Sequence, residues 1–197
     1  KVMTMLAGAM KELKVGNPGL LSTDVGPVID ADALKILQDH ATRMDGEARL
    51  IAAAALSEEA AHGTFFAPRA YELKDLGQLH REIFGPVLHV IRWKADQLDA
   101  VIDQINATGY GLTLGVHSRI DETVERISSG VQVGNVYVNR NQIGAVVGVQ
   151  PFGGQGLSGT GPKAGGPHYL LRFATEKTVT VNTTAAGGNA SLLTLGD

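Results

Sequence analysis

The segment GGQGLSGTG at 153–161 reads, from Gly154, as G-x-G-x-x-G. That spacing serves a pyrophosphate-binding turn when a hydrophobic strand runs into it and a helix starts inside it. An acidic residue should then follow about 20 positions later. Here Pro151 and Phe152 precede the run and Gly161-Pro162 follows it. A Gly-Pro step stops a helix where the phosphate needs one to begin. Thr160 stands where a P-loop requires Lys, so that pattern fails too. The alternative, a solvated surface loop, fits poorly with the small, apolar QIGAVV at 142–147 just upstream. Functional loops on a rigid α/β scaffold have this character. Glu82, in REIFGPV, is a second candidate, because one carboxylate can accept from both hydroxyls of a ribose diol. Read from the residues alone, a surface Glu at a turn and a core Phe84 compete with that role.

Other chemistries are excluded. The chain has no Cys, which removes disulfides, thiolate metal sites and a cysteine nucleophile. Its six His (40, 62, 80, 89, 117 and 168) form no i, i+4 pair, so no metal site is expected. A net charge of −3 gives no electrostatic footprint for nucleic acid. No apolar run approaches the roughly 18 residues of a membrane span.

The elements that must position these residues follow from periodicity. With 44% hydrophobic and 19% charged residues, the 197-residue chain has a globular composition. Apolar spacing predicts a helix over 2–14, and Asp30 or Asp32 is placed to cap another running to about Arg43. MDGEARLIAAAAL is ambiguous between strand and helix, and GTFFAPRAYEL reads as a short strand interrupted by Pro68. Strands are expected at 87–93, 112–118 and 131–139, alternating with helices at 94–106 and IDETVERIS. That alternation is the arithmetic of a parallel sheet covered by helices. KTVTVN at 177–182 is a short β-branched strand without a local partner. Because the chain begins at Lys1 inside a helical pattern, it is expected to be part of something longer.

Five stretches together resemble the aldehyde dehydrogenase superfamily: DVGPVID, EIFGPVLHV, INATGYGLTLGVHS, SGVQVGNVYVNR and QPFGGQGLSGTG. Their order and spacing carry the match to about residue 182. GAVVGVQPFGG and GTGPKAGGPHYLLRF resemble the 1-pyrroline-5-carboxylate (L-glutamate γ-semialdehyde) dehydrogenase branch, and the tail resembles that module of the bifunctional proline utilization A family. The implied fold class is α/β. It comprises part of a parallel-sheet catalytic domain over 1–174, an oligomerisation arm strand over 175–184 and a small-residue tail over 185–197. The implied activity is NAD-dependent oxidation of L-glutamate γ-semialdehyde to L-glutamate by the full-length parent, whose FAD would belong to an upstream proline dehydrogenase domain. The catalytic cysteine would also lie outside these residues, so the isolated chain is expected to be inactive.

The resemblance assigns Glu82 to the nicotinamide ribose and places Phe84 beside the nicotinamide. It makes Gly144 and Ala145 the anchor of the substrate's α-carboxylate, since consecutive backbone N–H groups can form an anion-binding concavity. Phe152 would pack on the aliphatic stem. A serine often stands at the second anchor position in this branch; Ala145 drops its hydroxyl but keeps the amide. Ser158 is read as structural. The resemblance further implies a small-molecule substrate, homo-oligomerisation through 177–182, no nucleic-acid binding and no transmembrane segment. It implies a cytoplasmic protein, with peripheral membrane association left open for the full-length form. A non-catalytic assembly domain of the same fold, or an aldehyde dehydrogenase of other specificity, are the competing readings.

Overall fold

Asp30 starts the longest helix among the described residues. Its backbone is extended, and its carboxylate accepts the Ala33 N–H at 2.8 Å, satisfying a donor that the first turn leaves open. The computed structural model describes residues 1–146, 148–183 and 185, apart from the side chain of Glu59. It divides into two compact units, Lys1–Val101 and Ile102–Asp197, each described by itself.

In the first unit, helix α1 spans Val2–Lys11 and helix α2 spans Ala31–Glu47. Leu37, Ala41 and Met44 recur at helical spacing and are buried. They pack over a three-stranded sheet of β1 (Arg49–Ala53), β2 (Arg69–Leu73) and β3 (Val87–Ile91). Leu37 and Ala41 meet Phe66, while Met44 meets Tyr71 and Leu73; Val87 packs against both groups. Tyr71 is fully buried and still satisfied, because its hydroxyl donates to Asp45 at 2.8 Å. β1 runs antiparallel to β2, and β2 parallel to β3. Glu72 on the middle strand accepts from Arg49 and Arg92, which holds its carboxyl below the usual range.

His40 on α2 and His89 on β3 meet with Nε2 atoms 2.8 Å apart. One ring must donate and the other accept, so both cannot be protonated in this geometry. Burial, then the charges of His89, Arg43 and Arg81, push His40 down to about 4 against an opposing pull from Glu47. Burial and then Arg43 also lower His89.

Helix α3 (Leu98–Ala107) contains the boundary. The second unit has a two-residue strand β4 (Tyr110–Gly111), then β5 (Thr113–Val116), helix α4 (Asp121–Gly130) and β6 (Asn135–Val138). β5 and β6 pair in parallel from Thr113↔Asn135 to Val116↔Val138, the expected β-α-β unit. Asparagines fasten its ends. Asn106 donates to the Gly130 carbonyl and accepts the Gln132 N–H, each at 2.8 Å. Asn139, at φ 54°, exchanges two bonds with the Ser118 backbone.

The α/β class holds: β2–β3 and β5–β6 pair in parallel, while β1–β2 and β4–β7 (Gln155–Gly156) are antiparallel. Periodicity marks a strand but carries no information about its partner. Over 177–182 no ladder forms among the described residues of this chain, in keeping with a segment that has no local partner. Val179 and Val181 are each 71% exposed. Residues 184 and 186–197, most of the expected tail, lie outside the described residues.

The histidine pair predicts acid sensitivity. Unfolded, these imidazoles take up protons below about 6.5; folded, His40 resists until about 4. Stability contributed by the neutral pair is therefore present above 6.5 and falls as pH drops toward 4. Urea midpoints measured across that window should fall for the native protein and fall less for His40→Gln. Parallel pH profiles for the two would count against the pair as the cause.

Candidate functional site

In the first unit, the turn from 82 to 86 is fixed by what lies between its exposed residues. Ile83 packs against the Leu37–Ala41–Phe66 cluster. Gly85 lies so close to α2 that a Cβ there would stand 2.6 Å from both Leu37 methyls. The Pro86 carbonyl accepts the Arg69 N–H at 3.0 Å, tying the turn to β2. Pinned at these points, the turn leaves Glu82 exposed and Phe84 84% exposed. Phe84 is thus not a core residue. Glu82 has no ion-pair or hydrogen-bond partner among the described residues. The turn therefore presents an exposed carboxylate and an exposed aromatic ring two positions apart.

In the second unit, Gly144, Ala145 and Phe152 lie on the segment joining β6 to β7. Tyr137, buried on β6, donates its hydroxyl to the Gly144 carbonyl at 3.1 Å, and the Arg140 guanidinium lies over its ring at 4.5 Å. Gly144 adopts φ 66°, a conformation in which side chains are strained. The N–H groups of Gly144 and Ala145 donate to no acceptor among the described residues. The segment then turns back. The Gln150 N–H bonds the Val146 carbonyl at 2.8 Å, and the Gln150 side chain accepts the Val146 N–H at 3.2 Å.

Phe152 is held by two backbone bonds to Ala164, at 2.9 and 3.0 Å. Next to it, Asn135 donates to the Pro151 carbonyl at 3.0 Å and accepts the Gly153 N–H at 3.3 Å. Lys163 Nζ donates to the Gly134 carbonyl, to Asn135 Oδ1 at 3.1 Å and to the Gly153 carbonyl at 3.0 Å. Tyr137, Asn135 and Lys163 were not candidates from sequence. Their contacts join residues 7 to 29 positions apart, and the motifs that contain them do not reveal these partners.

The glycine run has a structural role. No helix starts within 153–161; Gln155–Gly156 pair with Tyr110–Gly111, and the Leu157 N–H bonds the Gly109 carbonyl at 2.8 Å. Ser158 Oγ accepts the Gly111 N–H at 3.1 Å, as a structural serine would. A Cβ at Gly134 would collide with the Gly153 carbonyl, so backbone packs directly on backbone here. Pyrophosphate binding at a helix N-terminus is therefore absent from this turn.

A model of the aldehyde dehydrogenase family matches residues 1–179. The bifunctional protein PutA of Klebsiella aerogenes is 55% identical over 180 residues, covering 89% of this chain and 14% of that relative. The 1-pyrroline-5-carboxylate dehydrogenase of Geobacillus sp. (strain WCH70) is 39% identical over 181 residues, 91% of this chain and 34% of that protein. A mutant of Bradyrhizobium japonicum proline utilization A superposes with TM-score 0.87 at 61% identity, covering 94% of this chain and 19% of its own. The chain thus spans only a small part of the relatives it matches.

Gly134→Ala should destabilise the protein by about 1–3 kcal/mol, since the clash is with main chain rather than a movable side chain. Gly46→Ala, in α2 with nothing within 4 Å of the added Cβ, should stabilise by about 0.5–1 kcal/mol. Chemical denaturation of both variants checks the pair; equal effects would contradict the assigned backbone contact.

Proposed function

This chain belongs to the aldehyde dehydrogenase family, and from that premise we propose that it is the C-terminal part of an NAD-dependent dehydrogenase oxidising L-glutamate γ-semialdehyde to L-glutamate in proline catabolism. The observation that carries the proposal is the anchor loop. Two consecutive amides, on Gly144 and Ala145, have no acceptor among the described residues, and the Tyr137 hydroxyl holds the adjoining carbonyl. Such amides suit the α-carboxylate that distinguishes this aldehyde from simple aliphatic ones. Similarity to proteins named PutA and 1-pyrroline-5-carboxylate dehydrogenase supports the same reading.

The exposed carboxylate and ring of the 82–86 turn fit a nicotinamide nucleotide. Glu82 would accept from the ribose hydroxyls and Phe84 would cover the nicotinamide. Bound there, the cofactor supplies hydride acceptance. Gly144 and Ala145 orient the substrate's carboxylate end, and Phe152 excludes water from its stem. The chain has no Cys, so a cysteine nucleophile must come from other residues of the protein. FAD, in this proposal, belongs to a separate proline dehydrogenase domain. Among the described residues no helix is long and apolar enough to cross a membrane. A cytoplasmic location and homo-oligomerisation through 177–182 complete the proposal, the latter giving the unpaired KTVTVN a partner edge.

The test is NADH formation by the full-length protein supplied with 1-pyrroline-5-carboxylate or with propanal. The pyrroline compound should be turned over far better, and Glu82→Gln should raise the KM for NAD about tenfold. Silence toward both substrates would favour a non-catalytic assembly domain. Equal use of both would indicate a different specificity.

A further inference from the structure

We propose that Lys163 is a positioning residue for substrate selection, holding Phe152 and the returning arm of the anchor loop through a three-way ammonium clamp. An ammonium has three donors, and here each has an acceptor: the Gly134 carbonyl, Asn135 Oδ1 and the Gly153 carbonyl. The described residues give Lys163 no carboxylate partner; its charge is spent on neutral oxygens of the loop and of the start of β6. Charge-assisted bonds of this kind are stronger than the neutral ones elsewhere in the loop.

The stem contributes as well. Gly153 offers an open face to it, such that a Cβ there would lie 3.4–3.7 Å from Lys163 Cα, Cγ and Cβ. The next residue, Ala164, makes the two-bond bridge to Phe152. Residues 152 and 153 are thus fixed by 164 and 163, respectively. Asn135 extends the clamp to the Pro151 carbonyl. Without the ammonium, two carbonyls and an amide oxygen would face one another with no shared donor, and the arm carrying Phe152 would move away from β6.

The inference rests on the reading of Gly144, Ala145 and Phe152 as the grip on a carboxylate-bearing aldehyde. A grip remote from the reacting carbon holds ground state and transition state alike, so losing it raises KM and leaves kcat unchanged. In the full-length protein, Lys163→Met, which keeps most of the stem and no donor, should raise the KM for 1-pyrroline-5-carboxylate about tenfold. Its kcat, and its KM for propanal, should stay within about twofold of wild type. Lys163→Arg should not rescue, because a planar fork cannot aim donors at three convergent acceptors. Lys163→Leu, which likewise has no donor, serves the same comparison if the Met variant does not fold.

Equal KM increases for both aldehydes, or a fall in kcat alone, would overturn the positioning role and leave Lys163 as a general staple. Rescue by Arg would also overturn the clamp geometry. Failure of the wild-type protein to prefer the pyrroline compound would overturn the functional reading, and this inference with it.

Discussion

Three oxygen atoms from two sequentially distant places, Gly134–Asn135 and Gly153, converge on the Lys163 ammonium, and the segment after β6 depends on that convergence. Among the described residues from 140 to 168 there is one two-residue strand, so few of their polar groups are satisfied by repeating ladders. They are satisfied one at a time instead: Asn135 for Pro151 and Gly153, Ala164 for Phe152, Ser158 for Gly111. A loop held in this way keeps its shape without a hydrophobic core. Its glycines matter because main chain lies directly against main chain here, as at Gly154 and Gly159.

The first unit solves the same problem by burial. Ile83 reaches the cluster beneath α2 while its neighbours Glu82 and Phe84 stay exposed. An apolar residue flanked by two exposed ones is a device for presenting functional groups from a turn: the middle side chain supplies binding energy to the fold and the outer two remain free. Gly85 tightens the arrangement by letting the turn approach Leu37. The two units thus present their candidate groups by different physical means, packing in one and directed hydrogen bonds in the other.

Charged and titratable groups divide along similar lines. Glu72 gathers Arg49 and Arg92 at the sheet surface, where water screens the interaction and little stability is expected from it. His40 and His89 are withdrawn from water and act as a neutral hydrogen-bonded pair between helix and strand. Lys163 occupies a middle position, half-buried and satisfied by neutral acceptors.

Periodicity and capping chemistry are local, and the sequence alone determined what they govern. A cap at Asp30 or Asp32, the helix that follows it, the β5–α4–β6 unit and the unsuitability of GGQGLSGTG for a pyrophosphate could all be read without coordinates, because each depends on residues within a few positions of one another. The family was legible for a different reason, the order of several short motifs along the chain. Strand partners were not legible: β1 turned out antiparallel to β2. Nor were the partners of Tyr137, Asn135 and Lys163, which lie in family motifs that do not say what they touch. The role of Lys163 arises only when folding brings the carbonyl just before β6 and another from the glycine run to within reach of one side chain. That proximity is a property of the tertiary structure, since hydrogen bonds are selected by distance in space and sequence spacing does not encode it.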